Sequence, residues 1–166
     1  MAGATVPSML PSTTAPADPT PLAVIGALLP AAPTEGQIVN FAALVQAAER
    51  IEGGQIDINT MHHRAEGVYG RSVTIPAGGV LVGLSHLKGC LVVCVGDITV
   101  WSAGQRRRIT GATIFKSDPG GMRVGLAHAD TTWLTVHATD ATDIASIEGE
   151  LVEGADRLIT RREVTA

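Results

Sequence analysis

Apolar and polar positions form three successive patterns after residue 33, and the first of them is helical. Between residues 34 and 54, apolar side chains recur at steps of three and four, which is the spacing of one face of an α-helix. Thr34 and Gln37 stand in a capping-box arrangement at its start, while Gly53 and Gly54 predict its end. The sequence therefore predicts an amphipathic helix over 34–54, which packs either on its own domain or on a neighbouring subunit.

The second pattern is a β pattern that fills residues 55–139. Short apolar or alternating runs recur about every ten positions, with turn residues between them at 76–79, 96–97, 103–104 and 118–121. Even spacing without intervening helices predicts an antiparallel sandwich, jelly roll or small barrel. The predicted strands are Val68–Ile75, Val80–His86, Cys90–Val95, Ile98–Ser102, Arg107–Ile109, Thr113–Lys116, Arg123–Ala127 and Thr132–His137.

The third pattern, over residues 140–166, predicts a C-terminal helix. Asp140 or Thr142 is the expected cap, and the helix is expected to run to about Glu153 with its apolar residues on one face. Seven of the last 30 residues are acidic, so we expect the other face to be solvated.

Residues 1–33 differ from the rest in composition, because they hold seven of the nine prolines and a single charge, Asp18. Proline fixes φ and removes a backbone donor, which favours extended backbone over helix or central strand. We therefore predict an extended arm over 1–33, whose apolar run 22–29 contacts a partner. The side chains predicted to bind that partner are Leu22, Val24, Ile25, Leu28, Leu29 and, on the following helix, Phe41.

Length and charge narrow the function classes. A chain of 166 residues, 45% of them hydrophobic, is sufficient for one domain with appendages. The formal net charge of -4 argues against nucleic acid as a partner, since that affinity comes mainly from many Lys and Arg. The sequence contains no run of 18 apolar residues that would predict a membrane span, and its N-terminus lacks the basic residues that would predict a signal peptide. We therefore expect synthesis in the cytoplasm.

Two cysteines, Cys90 and Cys94, lie within one predicted buried strand. Four strand residues separate them by roughly 13 Å, whereas a disulfide needs α-carbons within about 7 Å. We therefore expect both to be free and to act as small core residues rather than as metal ligands, because no second cysteine pair completes a zinc pattern.

Four ordered segments of the β region carry a resemblance to a known family. They read Tyr-Gly-Arg-Ser-Val-Thr-Ile-Pro-Ala-Gly at 69–78, Val-Gly-Asp-Ile-Thr-Val at 95–100, Ser-Asp-Pro-Gly-Gly at 117–121 and Asp-Thr-Thr-Trp at 130–133. Over residues 60–153 the chain resembles a small cupin-like family of tailed bacteriophages. The resemblance implies a mainly β fold, an antiparallel cupin-like jelly roll, here with an N-terminal extended arm, one N-terminal helix and a C-terminal helix.

The metal ligands of an active cupin are mostly missing. Such a site needs His-x-His, a following carboxylate and a further His after a Pro-x-Gly turn, because a catalytic metal requires several converging ligands. His86 stands in the first place, but Lys88 occupies the second and Arg123 lies near the last. We predict no metal, no cofactor and no catalytic residue, and the candidates if a metal binds are His86, His128 and His137. No nucleophile or phosphate-loop motif is present either.

Two further clusters invite interpretation. Adjacent His62 and His63 would point to opposite faces of a strand, so we expect a surface or interface role rather than one shared ion. Arg106, Arg107 and Arg108 form the basic cluster, and strand alternation divides them between two faces. We predict that these arginines pair with an acidic neighbour or a partner subunit, with DNA contact or a protected strand edge as alternatives.

These observations favour a non-enzymatic structural protein of a tailed-phage virion. The most specific hypothesis is a capsid decoration or cement protein that binds the major capsid protein or other virion proteins, and that forms a dimer or trimer. A tail or fibre-attachment protein, a metal-dependent cupin enzyme or small-ligand binder, and a host-directed factor remain the alternatives.

Overall fold

The computed structural model of the chain describes residues 21–49 and 58–155, which form six strands and three helices. The helices are α1 (Pro21–Leu28), α2 (Glu35–Glu49) and α3 (Ile144–Leu151). The strands are β1 (Asn59–Ala65), β2 (Val68–Ile75), β3 (Val80–Gly83), β4 (Cys90–Ser102), β5 (Gln105–Ser117) and β6 (Arg123–Ala138). Every strand pairing is antiparallel, so the predicted fold class is confirmed.

Three long strands organise the sheet. Its order is β1-β2-β6-β4-β5, and β3 pairs with the first part of β6. β4, β5 and β6 each join two segments that the sequence predicts as separate strands. The turn predicted at Gly96 and Asp97 is wrong. Strand β4 continues through this point, and it is paired with β5 along one edge and with β6 along the other, both before Gly96 and after Asp97. Gly96 instead forms a bulge with φ 144°, where the register to β6 shifts.

The ends of the sheet also differ from the prediction. The sequence does not predict β1, because its polar residues offer little apolar alternation, yet β1 pairs with β2 from Val68 to Thr74. β3 ends at Gly83 rather than at His86, since His86 leaves the strand and forms an isolated bridge with Val152 beyond α3.

The bulge leaves a consistent inner face and outer face along the sheet. Inward residues of β2, β4, β5 and β6 form one core, which contains Val73, Ile75, Cys94, Ile98, Ile109 and Ala127. Both cysteines are buried and free, as predicted.

Helices α1 and α2 cover the outer face of only one half of the sheet. Ile25, Leu29, Ile38 and Phe41 pack there on Trp101, Val124 and Leu126. The predicted extended arm is therefore wrong for residues 21–28, because an apolar helical turn that docks on its own sheet buries Ile25 and Leu29. Residues 1–20 lie outside the described residues.

The capping box predicted for α2 is present. The backbone N–H of Gln37 donates to Thr34 Oγ1 over 3.3 Å, and the N–H of Thr34 donates to Gln37 Oε1 over 2.8 Å. The predicted helix end at Gly53 and Gly54 lies outside the described residues.

Helix α3 closes one end of the sheet's interior. Its N-cap is Asp143, whose carboxylate accepts from the Ser146 N–H over 2.8 Å, rather than the predicted Asp140 or Thr142. Ile147 and Leu151 pack on Tyr69. Residues 156–166 lie outside the described residues. In the described part of the chain, the helices are too short or too polar to cross a membrane.

Candidate metal centre

His86, Cys90 and His137 converge beside α3 at the closed end of the interior. One potential ligand atom from each side chain lies within 4.8 Å of the other two. Strand register explains the meeting of Cys90 and His137, because their neighbours Leu91 and Val136 are paired between β4 and β6. His86 approaches from the β3–β4 connection, where its bridge to Val152 fixes the backbone.

The distances suit a tetrahedral ion. Cys90 Sγ lies 3.4 Å from His86 Nδ1, and the two imidazole centroids lie 5.0 Å apart at an interplanar angle of 62°. Neighbouring nitrogen and sulfur ligands of one zinc ion lie about 3.5 Å apart, given bonds of about 2.0 and 2.3 Å. The His86–Cys90 pair has this spacing without any movement.

One buried atom in this cluster lacks a partner. His137 Nδ1 is buried and makes no hydrogen bond within the described residues. A buried polar atom without a partner destabilises the fold, and such an atom in a native structure commonly marks an absent ion or water. The two imidazoles and one thiol are therefore a donor set that fits a borderline cation such as Zn²⁺.

Burial sets the protonation of these groups. It is the main cause that lowers the pKa of His86 to about 4, with further contributions from His137, Arg123 and Arg71. Burial likewise lowers the pKa of His137, so both imidazoles are neutral at pH 7. Burial raises the pKa of the Cys90 thiol, an effect that Ser117 and Arg123 oppose.

The sequence offers His86, His128 and His137 as candidate metal ligands, and the structure brings together the first and the last of them. His128 lies on the other face of the β4–β6 pair, where its Nε2 lies 2.7 Å from Thr99 Oγ1. Cys90 is the third member of the cluster; it is buried in the core, as expected, and its position also allows it to act as a ligand. The spacing His86-x₃-Cys90 was the available signal, but only the pairing of β4 with β6 adds His137.

The adjacent histidines of β1 point to opposite faces, as predicted. His62 Nδ1 lies 2.7 Å from Tyr69 Oη on the inner side, and His63 Nε2 lies 2.9 Å from Ser72 Oγ on the outer side. Each ring therefore has a hydrogen-bond partner of its own, and the two cannot share one ion.

The arginine cluster is also divided as predicted. Arg106 and Arg108 lie on the outer side of β5, and Arg108 donates to both carboxylate oxygens of Asp97 over 2.8 and 2.7 Å. Arg107 lies on the inner side, with its Cζ 5.6 Å from the centroid of the Phe115 ring.

The residues predicted to bind a partner fall into two groups. Ile25, Leu29 and Phe41 are buried against the chain's own sheet, so the prediction is wrong for them: intramolecular packing already removes their surface from water. Leu22, Val24 and Leu28 are exposed on α1, and partner binding by them stays a prediction.

A narrow cavity adjoins the metal centre. It has a volume of about 70 Å³ and is lined by His86, Arg123 and Trp133 among mostly apolar side chains. It shares Arg123 and Trp133 with a wider groove of about 350 Å³ along β5. The two spaces therefore adjoin along the inner face of β4, β5 and β6.

Comparisons with known proteins add little beyond the fold. No family model and no curated protein matches the chain. A cupin superfamily protein from Desulfitobacterium hafniense is 9% identical over 52% of this chain and 81% of its own, with a TM-score of 0.45. KdgF from a Halomonas species is 17% identical over 51% and 82%, with a TM-score of 0.42.

A third similar structure is an RmlC-like cupin family protein with a double-stranded β-helix fold from Methanocaldococcus jannaschii. It is 11% identical over 51% of this chain and 82% of its own, with a TM-score of 0.43. Two of these three solved structures are described as cupins, the fold that the sequence resemblance implies. Their low identities and TM-scores give no information about function, and the tailed-phage origin stays a prediction.

Proposed function

We propose that this chain is a ligand-binding β domain that holds a zinc ion through His86, Cys90 and His137. The observation that carries the proposal is the convergence of these three donors within 4.8 Å, with His137 Nδ1 buried and unpartnered among the described residues. Three protein ligands leave a fourth position of a tetrahedral zinc ion open. That position suits a water molecule or a small ligand entering by the adjoining cavity.

Zinc would also change the state of the thiol. A coordinating cysteine binds as thiolate, so metal binding releases the proton that burial otherwise retains on Cys90. The imidazoles of His86 and His137 are already neutral, which is the protonation state in which histidine binds a metal ion.

Metal analysis of the purified full chain tests this proposal. We expect one zinc ion per chain after saturation with zinc and dialysis to remove the unbound metal. Cys90→Ser and His137→Asn should bind zinc at least tenfold more weakly, as measured by competition with a chromophoric chelator. Substitution with cobalt(II) should give a thiolate-to-metal charge-transfer band that Cys90→Ser removes.

Matched controls are available on the same strands. Cys94→Ser changes a second buried thiol of β4, and His128→Gln changes a second histidine of β6, yet neither residue lies in the cluster. Both variants should keep wild-type zinc affinity. Absence of stoichiometric zinc, or equal loss in Cys94→Ser and Cys90→Ser, would remove the basis of the proposal.

A second candidate function, assembly with further copies of the chain, is favoured by one observation. Beyond helices α1 and α2 the outer sheet face is apolar, and none of the described helices covers it; it comprises Leu91, Val93, Val95, Ile114, Leu134 and Val136. Ile114 is 71% exposed and Leu91 52% exposed. Lys116 is the one ionised side chain that the strand register places among them, at their border on β5.

This outer sheet face is small for an interface between two copies. Its six residues lie on three strands at about 4.8 Å spacing, with one to three outward positions on each, which gives roughly 250 Å² in projection. Accessible area exceeds projected area, but a contact near the roughly 800 Å² that each partner of a standard interface contributes must extend onto the neighbouring strand β2. Two such flat, nearly uncharged faces can pack on each other as sheets about 10 Å apart.

Sedimentation of the full chain tests this assembly. We expect the wild type to be a dimer. Ile114→Lys should raise the dissociation constant of this dimer at least tenfold, whereas Val39→Lys, at an exposed apolar site on α2, should leave it unchanged. A monomeric wild type, or equal effects of the two variants, would reject the outer sheet face as the contact.

The virion setting implied by the sequence resemblance gives this assembly a place on a phage particle. A decoration protein is present in many copies per particle, and a host-directed factor is absent from it. Quantitative mass spectrometry of purified particles distinguishes these cases, since a virion protein must be enriched in them.

A further inference from the structure

The inner face of the sheet carries three arginines outside the metal centre, Arg71 of β2 and two others that line one groove. Arg107 of β5 and Arg123 of β6 both line the groove of about 350 Å³. The register explains their convergence: Val100 of β4 is paired with Arg107 on one side and with Gly125 on the other. Arg123 lies two residues from Gly125 and thus on the same face.

Neither arginine has an acidic partner in the described part of the chain, where the ion pairs involve other residues. Lys116 also lines the groove, but Asp118 neutralises it over 2.6 Å. The lining therefore carries two net positive charges, both on guanidinium groups. Planar guanidinium groups bind carboxylates through two parallel hydrogen bonds.

The rest of the groove wall is apolar and aromatic. Phe115 and Trp133 meet edge to face, with ring centroids 5.7 Å apart at 72°. Val100 and Ile109 extend this wall. A volume of about 350 Å³ lies at the small end of the range for ligand pockets. The groove thus combines an anion-binding edge with a wall for a flat apolar body.

We propose that this groove binds a small carboxylic acid with an aromatic or apolar body, whose carboxylate lies between Arg107 and Arg123. The body of the ligand packs on Phe115 and Trp133. This site shares the interior with the proposed zinc ion but uses none of its ligands, so it stands whether or not zinc binds.

Benzoate is the probe, and benzamide is its uncharged counterpart of the same shape. Calorimetric titration of the full chain at low ionic strength should show that benzoate binds at least tenfold more tightly than benzamide. Arg107→Gln and Arg123→Gln should each weaken benzoate binding about tenfold, the loss expected when a charged hydrogen-bond partner is removed. Arg107→Lys should restore part of it.

Arg106→Gln is the matched control, because Arg106 neighbours Arg107 but lies on the opposite face of β5. Its affinity should stay within twofold of wild type. Equal binding of benzoate and benzamide, undetectable binding of benzoate, or equal loss in Arg106→Gln and Arg107→Gln would each overturn the proposal. Tighter binding of phenyl phosphate than of benzoate would overturn the assignment to carboxylates.

The same titration in His137→Asn separates this proposal from the zinc site. Benzoate affinity within twofold of wild type in that variant, together with lost zinc binding, supports two independent sites. If His137→Asn lost benzoate binding while Arg107→Gln kept wild-type benzoate affinity, the anion would be assigned to the metal and the arginine site would be rejected.

Discussion

Asp97 and Arg108 form a two-point ion pair across the β4–β5 hairpin, directly beside the bulge at Gly96. The Arg108 Nε and Nη2 atoms donate to separate oxygens of the Asp97 carboxylate over 2.8 and 2.7 Å. The backbone N–H of Asp97 meanwhile donates to Thr131 Oγ1 over 3.1 Å. The pair therefore joins β5 to the point where β4 changes its register to β6.

This ion pair makes stability dependent on acid pH. Hydrogen bonding to Arg108 is the main cause that lowers the pKa of Asp97, so the unfolded chain takes up this proton at a higher pH than the folded chain does. The stabilisation is complete above the unfolded pKa and is lost as pH falls through the folded pKa. We expect the difference in melting temperature between wild type and Asp97→Asn to shrink from pH 6 to pH 3, and a constant difference would contradict this.

Gly96 should not tolerate a side chain. A Cβ at this position would lie 2.4 Å from Thr131 Oγ1 and 2.7 Å from Thr131 Cα, and the backbone has φ 144°. We expect Gly96→Ala to lower the free energy of unfolding by about 2–5 kcal/mol. Gly26→Ala, in α1 with no atom within 4 Å of a new Cβ, should raise it by up to about 1 kcal/mol. Urea denaturation of both variants measures the contrast.

Helix α1 should contribute to the stability of the domain. Leu29 is fully buried against the sheet, whereas its neighbour Leu28 is 52% exposed. Leu29→Ala should cost about 2–5 kcal/mol of unfolding free energy, because it leaves a cavity over Trp101. Leu28→Ala should change it by less than about 0.5 kcal/mol. Similar values for the two leucines would show that α1 does not dock in solution.

The thiol of Cys94 should be unreactive until the protein unfolds. Cys94 is fully buried in the core, and burial raises its pKa, so little thiolate forms near pH 8. In Cys90→Ser, which leaves Cys94 as the one thiol of the chain, a disulfide reagent should react at least a hundredfold faster in denaturant than in buffer. A fast reaction in buffer would contradict the burial of this strand.

Local patterns in the sequence predicted those features that depend on neighbouring residues alone. The Thr34–Gln37 capping box, the boundaries of β2 and the division of the arginines of β5 follow from helical or strand periods within a few positions. Runs of proline and alanine misled the prediction for residues 21–28, because the helix there gains its stability from contact with Trp101 and Leu126, which lie far along the chain.

The sequence by itself thus determined the antiparallel β class, the helix after residue 34 and the free state of Cys90 and Cys94. Only the tertiary structure decided that His137, rather than His128, joins His86 and that Cys90 completes the cluster. The same holds for Arg107 and Arg123, which meet in one groove. Residue periodicity reports which face of a strand a side chain occupies, whereas the pairing register of β4 with β5 and β6 decides which distant faces come together.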